Sequence, residues 1–102
     1  ILRQAIREAG SFIRFKAAIV NEGTLEIFEY VDDDEPPNVI DYSYHWQNKQ
    51  GDILKRWDNA PHFPNLPNAP HHIHLDDESV VGAVRVADLA AVLTEIEQVL
   101  GV

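Results

Sequence analysis

His45, Arg56, Asp58 and His62, followed by His71, His72 and His74, are the side chains of this 102-residue chain whose types and spacing can do chemistry. Cleaving RNA without a metal needs a base for the 2′-hydroxyl proton, an acid for the leaving oxygen and a cation for the charged phosphorane. His45, Arg56, Asp58 and His62 can fill or orient those catalytic roles. Tyr42, Tyr44, Trp46 and Trp57 can stack on a base or donate a proton, and His71, His72 and His74 can contact the same substrate. A plainer alternative is that Arg56 pairs with Asp58 or Asp41 as a cross-strand salt bridge while His45 caps a sheet.

The histidines also allow a metal site. In an extended Pro70–His74 segment, His72 and His74 fall on one side, and with His62 they make a three-histidine set. Asp58, Asp76 or Asp77 is then the obvious fourth ligand. Imidazoles that tie down a loop by hydrogen bonds are the competing explanation, and no cofactor is expected. Residues 56–74 hold four of the five histidines and four of the six prolines, so they form an ordered or tethered loop rather than an interior helix or central strand. Within it, Asp58-Asn59-Ala60-Pro61 suits an Asx-type turn. There is no glycine-rich phosphate loop, nucleophile elbow or HExxH, and no cysteine, which removes nucleotide hydrolases, α/β-hydrolases, zincin peptidases and thiolate chemistry. Glu26 and Glu29 fall on opposite strand faces and do not read as a carboxylate pair.

The elements that must position these groups follow from periodicity. Residues Ile1 to Ala9 have apolar positions at helical spacing before Gly10 and predict the end of a helix. Ser11 to Val20 predicts a strand with Ile13, Phe15, Ala17 and Ile19 on one face and Arg14 and Lys16 on the other. Asn21-Glu22-Gly23 predicts a turn into a second strand over Thr24 to Val31. In a third strand over Val39 to Gln47, Tyr42, Tyr44 and Trp46 point one way while Asp41, Ser43 and His45 point the other. A hairpin at Asn48-Lys49-Gln50-Gly51 leads into a fourth strand, Asp52 to Asp58. An even loop count puts Arg56 and Asp58 on the face of Ser43 and His45, whereas an odd count separates them. His72, Ile73 and His74 suggest a short edge strand. Leu89, Val92, Leu93 and Ile96 predict a C-terminal helix stopped by Gly101. The expected fold is therefore α+β: an antiparallel sheet of four to five strands with the C-terminal helix, and the N-terminal one, packed on one face.

Length and composition predict a single domain over 1–102, with any residues before Ile1 left open. The apolar runs are too short to span a bilayer and no secretory signal is visible, so a cytoplasmic location and no membrane association are expected. The formal net charge is −9, which argues against non-specific phosphate-backbone binding. Its distribution is uneven. Residues 1–20 sum to +3, 21–37 carry seven acids and no base, 38–75 are balanced and contain every histidine, and 76–102 sum to −5. The balanced block suits an anionic ligand, and the acidic remainder suits either solvent or a basic partner.

Tyr42-Ser43-Tyr44-His45-Trp46-Gln47, Arg56-Trp57-Asp58-Asn59-Ala60-Pro61-His62 and Pro70-His71-His72-Ile73-His74 together resemble the TumE-type toxin family of prokaryotic toxin-antitoxin pairs. The resemblance covers about residues 12–100. It implies a small cytoplasmic toxin encoded beside an antitoxin that often bears a DNA-binding helix-turn-helix, a biological role rather than a reaction; RNA as a candidate target comes from the residues above, and a homodimer is a compatible assembly. The family commonly has a second histidine where this chain has Phe63, which counts against any mechanism needing adjacent histidines there. Two other functions fit the residues alone: an acidic protein-interaction module, and a histidine-rich metal-binding protein.

Overall fold

A computed structural model describes residues 2–7, 10–19 and 23–101, with side chains described for 11–19 and 23–101. Seven strands, β1 (Leu2–Arg7), β2 (Gly10–Ile19), β3 (Gly23–Val31), β4 (Val39–Gln47), β5 (Ile53–Asp58), β6 (His72–Leu75) and β7 (Val80–Gly82), form one sheet in sequence order. Every neighbouring pair is antiparallel. One helix among the described residues, α1 (Leu89–Leu100), follows. The α+β class and the C-terminal helix are as expected, but the sheet is larger than four to five strands.

Two of the extra strands have physical explanations. Leu2–Arg7, expected to be helical, pairs antiparallel with β2 from Leu2↔Phe15 to Arg7↔Gly10. Six residues are too few for a helix to sustain itself, whereas the free edge of β2 offers a full row of backbone partners. Ile1, Glu8 and Ala9 of that expected helix, and Val20, Asn21 and Glu22 around the next turn, lie outside the described residues. Val80–Gly82 is only three residues long, too short to show an alternation, and it pairs with β6 through His72↔Gly82, Ile73↔Val81 and His74↔Val80. The histidine strand β6 is thus interior rather than an edge.

Helix α1 forms where both ends are capped. Asp88 accepts a hydrogen bond from the Ala91 N–H, and Gly101 adopts the left-handed conformation (φ 75°) with its N–H bonded to the Glu97 carbonyl. Val92 and Ile96 of α1 pack on Leu25, Ile27, Tyr42, Tyr44, Trp46 and Trp57, the core of the molecule. A Lys55–Glu95 ion pair ties β5 to the helix at the margin of this core. With α1 on that face, the opposite face carries Arg14, Glu26, Ser43, His45 and Arg56. No helix among the described residues is long and apolar enough to cross a membrane.

The proline-rich segment between β5 and β6 is held on the sheet. The Asn59 side chain accepts from the Tyr42 N–H (2.9 Å) and donates to the Ile40 carbonyl (2.9 Å), continuing the β4–β5 ladder past the end of β5. Farther along, the Asn68 amide donates to the Ala83 carbonyl, and the Ala83 N–H donates to the His71 carbonyl (3.1 Å). Pro67 passes so close to β7 that a Cβ on Gly82 would stand 2.2 Å from its carbonyl oxygen.

Chemical denaturation checks both contacts. Ile96→Ala is expected to cost about 2–5 kcal/mol by opening a cavity between helix and sheet. Gly82→Ala should cost about 1–3 kcal/mol by forcing the Pro67 segment off β7.

Candidate functional site

Strand register builds the polar face. One row across it runs Lys16, Glu26, His45, Arg56 and His74, each the cross-strand partner of the next. The adjacent row runs Arg14, Phe28, Ser43, Asp58 and His72. Residues in one row and in adjacent rows are near enough to interact, so five strands deliver their polar groups to one surface. The Asn48 side chain fixes the critical hairpin by accepting from the Gln50 and Asp52 N–H groups (both 2.9 Å). A register shift between Trp46 and Gln47 follows, after which His45 faces Arg56 and Ser43 faces Asp58.

A cleft of about 400 Å³ opens on this face, lined by Arg14, Glu26, Ile27, Phe28, Ser43, His45 and Arg56. Arg14 lies over the Phe28 ring at 5.3 Å, and Arg56 donates through Nη2 to the Asp58 carboxylate at 2.9 Å. Two polar atoms in the cleft wall, His45 Nε2 and Arg56 Nε, are buried without a hydrogen-bond partner. Burial, reinforced by the Arg56 charge and opposed by Glu26, holds the His45 pKa below its ordinary 6.5. The ring is therefore neutral near pH 7, the form that can accept a proton.

Beside the cleft, Asp58 and His72 are nearly inaccessible, at 5% and 2% exposure. The Asp58 carboxylate accepts from the Ala60 N–H at 2.7 Å, the Asx turn expected at that position. His72 and His74 meet Nε2 to Nε2 at 3.2 Å, and His72 Nδ1 lies 2.8 Å from the Pro70 carbonyl. That carbonyl can only accept, so His72 carries its hydrogen on Nδ1. Its Nε2 is then the acceptor in the neutral ring, and the proton between the rings belongs to His74 Nε2. Burial, then His72 and Arg56, lowers the His74 pKa. The Phe63 ring packs on both imidazoles, with centroids 4.8 Å from His72 and 5.7 Å from His74.

Among the expected site residues, His45, Arg56, Asp58, His72 and His74 are thus brought onto one face. His62 is exposed, and its backbone N–H bonds the Ala60 carbonyl; the loop turns Phe63, not His62, onto the imidazole pair. His71 stacks on Tyr42 (5.8 Å, 13°) and shares a 2.8 Å hydrogen bond with its hydroxyl, away from His72 and His74. Tyr42, Tyr44, Trp46 and Trp57, expected to bind substrate, are 0–5% exposed under α1 on the other side of the sheet. No nucleobase can stack there without lifting the helix. Burial and Glu29, to which the Tyr44 hydroxyl donates at 2.6 Å, raise the Tyr44 pKa and make it a locked donor rather than an acid.

Sequence reasoning missed Arg14 and Glu26. The alternation of β2 set Arg14 apart from the apolar face, but only register across β3 carries it to the cleft. The family model described as the toxin TumE matches residues 1–100. Comparison with curated proteins and with solved structures gives no match.

The lowered His45 pKa has a consequence for stability. As pH falls below 6.5, the ordinary histidine value, the unfolded chain takes up a proton that the folded chain resists, so stability declines with acidification. Melting temperatures from pH 7.5 to 5 are expected to fall, and His45→Gln should flatten that slope.

Proposed function

The chain belongs to the TumE toxin family, the toxin half of a toxin-antitoxin pair, and from that premise we propose that it cleaves RNA in the polar-face cleft. The observation carrying this reading is the pair of buried, unpartnered atoms, His45 Nε2 and Arg56 Nε. A buried polar atom without a partner costs on the order of 1–3 kcal/mol, and a bound phosphodiester relieves both costs at once. Its 2′-hydroxyl donates to His45 Nε2, and a phosphate oxygen accepts from Arg56 Nε.

In the reaction, the 2′-hydroxyl proton passes to neutral His45 as the 2′-oxygen forms a bond to phosphorus. The phosphorus–5′-oxygen bond breaks with its electron pair going to the 5′-oxygen, which takes a proton from water in the open cleft. Arg56 stabilises the charge that accumulates on the phosphorane oxygens. Asp58 holds the guanidinium in place by its 2.9 Å pairing and acts as a positioning residue. Arg14, across the cleft, offers a second cation for the chain of phosphates.

The overall charge supports a small site. At −9, the molecule repels a long phosphate backbone, so RNA engages only where Arg14 and Arg56 lie. The acidic remainder favours an antitoxin with a basic surface, and the family likeness implies that it carries a DNA-binding helix-turn-helix. Both act in the cytoplasm in this reading.

Inducible expression with and without the antitoxin, followed by sequencing of RNA ends, tests the assignment. Growth arrest with 5′-hydroxyl and 2′,3′-cyclic phosphate ends is expected. His45→Ala should reduce cleavage by about 10²–10⁴-fold, and Arg56→Ala should abolish arrest as well. Intact RNA in arrested cells would overturn the nuclease reading and leave the toxin role standing. In purified protein the rate should rise with pH through a midpoint below 6.5, because the base loses its proton there.

A further inference from the structure

Asp58, His72 and His74 gather one carboxylate and two imidazole donors with all three ligand atoms within 4.8 Å of one another. The two imidazole nitrogens are 3.2 Å apart. Two nitrogens bound to one tetrahedral zinc ion at about 2.0–2.1 Å stand roughly 3.3–3.4 Å apart, so the rings already have the separation that a shared ion imposes. We infer that Asp58, His72 and His74 form a binding site for one divalent transition-metal ion of the zinc class.

Two further observations support the site. The Pro70 carbonyl, 2.8 Å from His72 Nδ1, fixes that ring with Nε2 as the bare nitrogen; a carbonyl behind a ligand histidine is the usual device for orienting it. His74 needs only the Nδ1–H tautomer to present its own Nε2 as a second lone pair. The ion then replaces the hydrogen between the rings. The Phe63 ring, with centroids 4.8 Å from His72 and 5.7 Å from His74, packs against both imidazoles and helps hold their orientation.

Arg56 opposes the ion, since its Nη2 lies 2.9 Å from Asp58 Oδ2. Its side chain is 39% exposed, so the guanidinium can turn toward solvent, whereas Asp58 at 7% cannot follow. The carboxylate thus stays available when an ion arrives. Imidazole donors select the zinc class over magnesium or calcium, which prefer all-oxygen shells. Three protein ligands leave one coordination position open, as in sites where an ion binds water or an anionic ligand.

The inference does not rest on RNA cleavage, and its test measures binding alone. The full chain, freed of any affinity tag and stripped with chelator, is titrated calorimetrically with zinc chloride and, separately, magnesium chloride. One equivalent of zinc and no magnesium should bind. His74→Ala and Asp58→Asn should each weaken zinc by at least about 10-fold, since losing a ligand costs no less than losing the group that orients one, while His62→Ala leaves it unchanged, because His62 is outside the cluster. X-ray absorption of the zinc-loaded wild type should show two imidazole ligands, a readout that does not depend on how any variant folds. Absence of saturable zinc binding to the wild type, or wild-type affinity in His74→Ala, would overturn the site; equal weakening by His62→Ala would do the same.

Discussion

Because side chains alternate across a pleated sheet, the pairing of His45 with Arg56 and of Ser43 with Asp58 decides what each face of the molecule is. A slip of one residue between β4 and β5 would send Arg56 and Asp58 into the core and bring Trp57 out to solvent. The aromatic face resists that slip, since Tyr44 and Trp57 are themselves paired and both are nearly inaccessible. Burial of each such ring is worth several times the about 1 kcal/mol of a typical hydrogen bond. Hydrophobic burial on one side thereby fixes the register that assembles imidazole, guanidinium and carboxylate on the other.

Asymmetry between the faces also explains why polar groups can be buried at all. The Asp58 carboxylate is covered, yet it keeps the Arg56 guanidinium and the Ala60 N–H as partners. His72 is covered too, with partners at both ring nitrogens. Groups satisfied in this way cost little to bury. His45 Nε2 and Arg56 Nε are the exceptions, and they lie together in the cleft. An unmet donor or acceptor is tolerated where an incoming ligand can meet it, so the deficit marks the place where the sheet stops serving its own stability.

Much of this was legible in the chain because it depends on period. The alternation over Val39–Gln47 located β4, but the parity of the hairpin was open in the sequence: five residues separate Gln47 from Ile53, and a register shift between Trp46 and Gln47 is what brings Arg56 and Asp58 to the face of His45. What alternation cannot tell is which face a helix will cover. Tyr42, Tyr44, Trp46 and Trp57 look the same in sequence whether they stack on bases or on α1, and the amphipathic stripe of Leu89–Leu100 decides for the core. Leu2–Arg7 was misread because apolar spacing in so short a run fits both periods, and the free edge of β2 lies outside any local pattern. In the loop, His62 drew notice by residue type alone; backbone turns place its neighbour Phe63 on the imidazoles, and no sequence signal distinguishes the two.

Charge distribution links the site to the rest of the molecule. Seven acids over residues 21–37, of which Glu26 lines the cleft itself, and a C-terminal block of −5 contrast in charge with the balanced block over 38–75. At physiological ionic strength, fields fall off over about 8 Å, so a ligand phosphate in the cleft feels Arg14 and Arg56 more than the distant acids, while an extended polyanion feels the whole. A basic protein experiences the reverse: attraction across most of the surface and little at the cleft. The same chain can therefore admit a short anionic segment at one face and hold a cationic partner over the others, with the sheet that separates its two faces keeping the two demands apart.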